Sequence, residues 1–113
     1  MKMLDFNAIQ QPTWPIKLKD AAQTVVTLSA PTAELVDRLV ALAPELESVT
    51  KAKDGRTIRK TYELVAELIN CNEDGFKTNA DELLSTYKMQ LMDLVLFAAG
   101  YMEFIKEINS AKN

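Results

Sequence analysis

The sequence predicts a mainly α-helical protein of the α+β class, with a short N-terminal β-hairpin and four to five helices in one domain. Three observations favour this class: apolar and polar residues alternate after Trp14, apolar residues recur at helical spacing after Thr32, and 113 residues include only 3 Gly and 4 Pro. A chain of this length buries about two-thirds of its unfolded surface and needs no metal or disulfide to fold. We therefore expect one domain over 1–113, with a hairpin region at 1–31, a helical bundle at 32–109 and a flexible tail at 110–113.

The hairpin is predicted from strand-like alternation. Successive side chains of a strand point to opposite faces, so three apolar residues share one face: Trp14, Ile16 and Leu18. The β-branched segment Thr24–Leu28 is typical of a returning strand, with the turn at Lys19–Gln23. Because an isolated hairpin is marginally stable in water, we expect its apolar face to pack on the helices or on a second copy.

The helices are bounded by caps and breaks. Thr32 or Ser29 caps the first helix, and Pro44 either ends it or begins a short helix at Glu45–Lys53, before the break at Asp54-Gly55. Gly75 is expected in a left-handed conformation, where it closes a polar loop. The other predicted helices are Arg56–Asn70, a short one from the Thr78–Asp81 cap through Leu84 with a break near Ser85-Thr86, and Tyr87–Asn109.

Composition argues against several function classes. The net charge is −3, with 13 basic and 16 acidic residues interspersed, so we expect no nucleic-acid partner. The chain has no histidine to act as a general base or zinc ligand, so we expect no enzyme, no catalytic residue, no cofactor and no metal. The only cysteine, Cys71, is consistent with a reducing compartment. Leu91–Met102 is too short for the ~20 apolar residues of a membrane span, and residues 1–10 lack a signal-peptide core.

One loop has the spacing of a calcium-binding EF-hand. Asn70, Asn72, Asp74 and Asp81 occupy positions that carry oxygen ligands, with Gly75 at the turn. However, the first position normally holds an acid and the last a bidentate Glu, so only two carboxylates face the ion. A polar loop between two helices is therefore the favoured interpretation.

The C-terminal helix carries more apolar surface than one stripe. Between Leu91 and Ala99 the apolar residues surround the helix for two turns, which indicates that part of it contacts a partner. We expect a core face at Leu91, Leu94, Val95 and Ala98. Ala98-Ala99-Gly100 is expected to permit close approach of another helix. The remaining apolar residues contact either the hairpin or a protein partner, and these are the candidate protein-binding residues: Met92, Leu96, Phe97, Ala99 and Met102.

The chain resembles tail assembly chaperones of long-tailed bacteriophages that infect Gram-positive hosts. The likeness lies in the N-terminal run LDFNAIQQPTWPIKLKDAAQTVVTLSAPTAELVDRL, in the Asn-rich loop with glycine before a Thr-capped short helix, and in the final segment YMEFIKEINSAKN. The resemblance implies a protein that binds the tape measure protein, keeps its hydrophobic helices soluble and recruits tail tube protein. It also implies action in the host cell cytoplasm, absence from the mature virion and, in many members, a longer product of ribosomal frameshifting.

Self-association is expected as well, because weak contacts from several copies raise avidity along an extended client. Two alternatives remain open at the level of sequence. One is a generic helical adaptor or dimerisation domain of a phage or bacterial operon, and the other is a weak calcium-binding protein that uses the Asn70–Asp81 loop.

Overall fold

The computed structural model describes residues 2–4, 11–52 and 55–110, with only the backbone of 45–52. It confirms the α+β class: the described residues form an antiparallel hairpin followed by four helices, which is the lower number expected. The elements are β1 (Trp14–Lys17), β2 (Val25–Leu28), α1 (Ala33–Ala52), α2 (Gly55–Ile69), α3 (Ala80–Ser85) and α4 (Leu91–Ser110). The tail expected at 110–113 lies outside the described residues except for Ser110, which is the last residue of α4 and not part of a tail.

The hairpin confirms the predicted alternation. Trp14 pairs with Leu28 and Lys17 with Val25, and the Leu18 amide donates to the Thr24 carbonyl at 2.8 Å. The turn at 19–23 needs no glycine because Gln23 adopts a positive φ of 51° and the Asp20 carboxylate accepts a 2.8 Å hydrogen bond from the Thr24 amide. Hydrogen bonds from Thr24 also lower the pKa of the Asp20 carboxyl below its usual value.

The second edge of β2 is covered by the loop that follows α2. Leu28 forms an antiparallel bridge with Asn72. The Ser29 amide donates to the Cys71 carbonyl at 2.9 Å and the Glu73 amide donates to the Thr27 carbonyl at 3.0 Å. The predicted polar loop therefore extends the hairpin along one side and joins it to the helices.

Helix α1 corrects the expectation for Pro44, which neither ends the helix nor begins another. The helix runs continuously from Ala33 to Ala52 with Pro44 inside it. Proline removes one hydrogen bond, which here is the bond to the Val40 carbonyl. Pro44 is exposed and Val40 is 54% exposed, so solvent can reach the freed carbonyl on the outer side of the helix. The short helix expected at Glu45–Lys53 is the end of α1 up to Ala52, and Lys53 lies outside the described residues.

The segment between α3 and α4 contains one confirmed break and one corrected boundary. Helix α3 begins after the cap residue Asn79, whose side chain accepts from the Glu82 amide, and it ends at Ser85 as predicted. Helix α4 begins at Leu91 and not at Tyr87. Lys88 adopts a positive φ of 50°, and this turn lets the preceding Tyr87 enter the core, where its ring lies 5.8 Å from that of Phe76.

A candidate protein-binding surface on the last helix

Helix α4 presents two apolar faces. Its inner face lies in the core, where Leu94 and Tyr101 are fully buried; the buried residues of the helix are Leu94, Phe97, Ala98, Tyr101, Phe104 and Ile108. The opposite face is exposed: 60% of Met92 and 65% of Leu96 are accessible, and Ala99 is exposed beside them. We call the exposed residues and the half-buried Val95 beside them the outer stripe, which comprises Met92, Val95, Leu96 and Ala99.

The predicted division of the helix holds for most positions. Leu94 and Ala98 lie in the core as expected, whereas Leu91 and Val95 are only half-buried. Three of the five candidate binding residues belong to the outer stripe, namely Met92, Leu96 and Ala99, whereas Met102 is half-buried and packs against the core. The fifth, Phe97, contacts the hairpin, which was the other contact expected for these residues.

Phe97 is buried because Trp14 of β1 covers it. The two rings stack with their centroids 5.5 Å apart, and the Trp14 ring also lies 6.1 Å from Tyr101 and 6.1 Å from Phe104. Phe97 is 8% exposed, so it offers a partner only the small part of its side chain that lines the groove beside β1. Its ring mainly packs beneath Trp14 and so helps to hold the hairpin on α4.

Ala98-Ala99-Gly100 was expected to permit close approach of another helix. At Gly100 it is instead the Trp14 side chain of the hairpin that approaches. A Cβ atom at Gly100 would lie 2.7 Å from the Trp14 ring, closer than any packed carbon contact. The absence of a side chain at this position lets the indole lie flat against α4. The single Trp14 side chain thus determines how β1 sits on α4.

An open apolar groove of about 270 Å³ lies between β1 and α4. We call it the hairpin groove; its apolar wall is formed by Trp14, Ile16, Leu18, Met89, Leu96 and Phe97. Lys17, Lys19 and Asp93 form its polar rim, and the Lys19 ammonium binds the Asp93 carboxylate at 2.6 Å. This Lys19 hydrogen bond and one from the Gln90 amide lower the pKa of the Asp93 carboxyl.

The groove and the outer stripe form one continuous surface because Leu96 belongs to both. The sequence did not indicate that Trp14 and Ile16 contribute to this surface, whereas Met89 was expected to suit an adaptable binding surface because of its flexible side chain. The strand alternation did place Trp14 and Ile16 on the apolar face, but it carried no information on which helix they would meet. Met89 was assigned to a helix, although it lies in the turn before α4.

The residues with EF-hand spacing make structural hydrogen bonds. Asn72 organises the loop: its amide nitrogen donates to the carbonyls of Ile69 and Phe76, and its oxygen accepts from the amides of Asp74 and Phe76, all within 3.0 Å. The Asn70 side chain likewise donates from its amide nitrogen to the Thr78 carbonyl and accepts at its oxygen from the Thr78 amide.

The two carboxylates of this motif also have partners in the fold. Asp74 accepts from the Thr27 amide at 2.7 Å, and Asp81 pairs with Arg59 at 2.9 Å. Among the described residues, no three His, Cys, Asp or Glu side chains form a group suited to a metal ion. None of the described helices is both long enough and apolar enough to cross a membrane.

Tyr101 carries a polar atom that the core does not accommodate. The residue is fully buried, and its hydroxyl has no hydrogen-bond partner among the described residues. Burial raises the pKa of Tyr101, with a smaller contribution from Cys71. We expect Tyr101→Phe to raise the free energy of unfolding by about 1 kcal/mol, because it removes a buried unpaired hydroxyl without leaving a cavity.

Tyr62→Phe is the matched control for this prediction, measured in the same urea denaturation series. The Tyr62 hydroxyl donates to the Met89 carbonyl at 2.6 Å, so its removal should lower the free energy of unfolding by about 1 kcal/mol. Equal losses in both variants would contradict an unpaired hydroxyl at Tyr101.

Comparison with protein-family models, with curated proteins and with solved structures finds no match to this chain.

Proposed function

We propose that this protein is a phage tail assembly chaperone that binds the tape measure protein, keeps its apolar helices soluble and helps to recruit tail tube subunits. The sequence resemblance described above suggests the family. The observation that supports the proposal in the fold is the continuous apolar surface of the outer stripe and the hairpin groove. In this proposal the protein acts in the host cytoplasm during morphogenesis, associates with further copies of itself and is absent from the mature virion.

The surface suits an apolar helix as its client. Leu96 projects from α4 at 65% exposure, and the groove beside it offers the half-buried side chains of Trp14 and Ile16. A partner helix that lays its apolar stripe on such a surface removes both stripes from water, the main source of affinity in helix-in-groove recognition. Methionine supplies an unbranched, polarizable side chain that adapts to different partners, and both Met89 and Met92 lie here.

The proposal is tested by co-expression with the product of the tape measure gene expected immediately downstream. We expect Leu96→Glu to reduce the amount of client that stays soluble and co-purifies by at least about tenfold, because a charge would be buried at the centre of the contact. The measurement is the client recovered in the soluble fraction and in a pull-down of the chaperone.

Val40→Glu provides the matched control, because it places the same charge on an exposed apolar residue of α1. This variant should retain client as the unmodified protein does. Equal client recovery with Leu96→Glu and with the unmodified protein would reject α4 as the client site. A soluble client in the absence of this protein would reject the chaperone function itself.

The alternative of a generic helical adaptor uses the same surface with a different partner. The neighbouring genes separate the two: a tape measure gene directly downstream supports the chaperone, and its absence supports the adaptor. The third possibility, weak calcium binding by the Asn70–Asp81 loop, has no observation in its favour, because the loop oxygens are engaged in the hydrogen bonds and ion pair described above.

A further inference from the structure

The exposed side of α4 changes character along its length. Met92, Leu96, Ala99 and Glu103 recur at alternating steps of four and three, the spacing of a seam that packs against another helix. The first half of this seam is apolar, whereas the second half continues with the exposed Glu103 and Lys106 and has the exposed Glu107 beside it. Lys106 forms only an exposed 3.3 Å ion pair with Glu103, a type that contributes little to stability.

The opposite charge lies at the other end of the same surface. Lys17 and Lys19 of the hairpin line the groove beside the first turns of α4, together with Asp93 and Leu96. Two lysines and one aspartate thus lie beside the apolar half of the helix, which we call the lysine rim, and two glutamates and one lysine lie beside the other half, which we call the acidic rim. Glu107 follows Leu96 by eleven residues, or about three turns, and so lies on the hairpin side of the seam.

We propose that the outer stripe is a self-complementary interface on which a second copy of this chain packs its own α4 in the antiparallel direction. A twofold axis perpendicular to both helices reverses their direction but leaves the hairpin on the same side of the seam. Glu103 and Glu107 of one copy then lie over the lysine rim of the other, and this contact occurs twice. Leu96 faces the small Ala99 of the partner copy, so a large side chain fills the space beside a small one.

Two features favour a second copy packed through α4 over one paired through the open edge of β1. Pro15 has no amide hydrogen to donate, and the exposed Lys17 lies on the same short strand, features that discourage pairing with another strand. Antiparallel packing also places each α4 dipole against the opposite dipole of its partner. A parallel pair would place the two hairpins on opposite sides of the seam and at the end away from the partner's Glu107, so it would not bring the lysines to the glutamates.

The interface is short and the dimer is therefore concentration-dependent. A stable protein interface buries ~800 Å² on each partner. The apolar part of this seam, from Met92 to Ala99, spans only about two helical turns. We expect dissociation in the micromolar range, so that a second protein can compete for the same surface. The inference stands independently of the proposed client, since it concerns the purified chain alone.

The test is sedimentation equilibrium of the purified full chain from about 10 μM to about 1 mM. The unmodified protein and Val40→Glu should both show a monomer–dimer equilibrium. The variant Lys17→Glu and the double variant E103K/E107K should each raise the dissociation constant by at least about tenfold, because like charges then face each other. An equimolar mixture of the two should restore association, since both contacts again join opposite charges.

Restoration in the mixture supports the antiparallel arrangement, because a fold disrupted by either substitution would not recover on mixing. A monomeric mass over the whole range, or dimerisation that none of these charge reversals alters, would overturn the inference. Both outcomes are distinct from failure of the client test, which is scored by client solubility. Client retention by E103K/E107K together with loss of its dimer would assign client binding to the apolar part of the surface.

Discussion

Trp14→Ala is expected to lower the free energy of unfolding by about 2–3 kcal/mol, below the 3–5 kcal/mol of a fully buried aromatic because Trp14 is half-buried. The indole stacks on Phe97, contacts Gly100 and lies within 6.1 Å of the Tyr101 and Phe104 ring centroids. Its removal therefore leaves a gap between β1 and α4. The loss can be measured by urea denaturation followed by tyrosine fluorescence and circular dichroism.

The same substitution should also impair client retention, because Trp14 forms one wall of the hairpin groove. Val25→Ala is the matched control in the hairpin: Val25 is 52% exposed, and we expect a change below about 0.5 kcal/mol. A similar small change for Trp14→Ala would show that the aromatic contacts do not hold the hairpin on α4. Normal client retention by a folded Trp14→Ala protein would show that the client binds the outer stripe without the hairpin groove.

The second large effect is expected for Asn72→Ala, which should lower the free energy of unfolding by about 3 kcal/mol. One side chain satisfies the carbonyls of Ile69 and Phe76 and the amides of Asp74 and Phe76. The three part-buried hydrogen bonds contribute about 1 kcal/mol each, whereas the exposed Asp74 amide can bond to water instead. The Asn72 bridge to Leu28 should loosen as well, and amide exchange along β2 would report it.

Glu73→Ala is the matched control in the same loop, since Glu73 is exposed and it is its backbone amide that bonds to Thr27. We expect its stability to stay within about 0.5 kcal/mol of the unmodified protein. An Asn72→Ala protein of normal stability would show that the loop keeps its conformation without the side chain. An increase in the stability of the unmodified protein on addition of calcium would instead support calcium binding by the Asn70–Asp81 loop.

Local rules accounted for the elements of this fold. The alternation of Trp14, Ile16 and Leu18 predicted β1, and the structure confirms it. Gly75 adopts the left-handed conformation expected of it, with φ of 73°, and Asn79 caps α3 within the predicted Thr78–Asp81 segment. These features depend on interactions within a few residues, so they can be inferred before any tertiary contact is known.

Two predicted helix boundaries were wrong because the tertiary environment outweighed a local preference. Pro44 was expected to bound a helix, but its exposed position lets α1 continue with the loss of one hydrogen bond. Helical periodicity extended α4 back to Tyr87, whereas burial of that ring against Phe76 favours the turn at Lys88. Solvent exposure decided the first case and burial of an aromatic ring decided the second, and neither can be inferred from local preference.

By itself, the sequence determined that this chain is an α+β protein with one helix too apolar to be covered on a single face. Only the tertiary structure decided how that helix is divided: Trp14 covers Phe97 and occupies the space beside Gly100, while Met92 and Leu96 remain exposed. The physical reason is that periodicity ranks the faces of a helix by hydrophobicity, but it cannot identify which distant element covers each face. The apolar surface that we propose as a binding site is the part of α4 that the hairpin leaves uncovered, together with the groove between them.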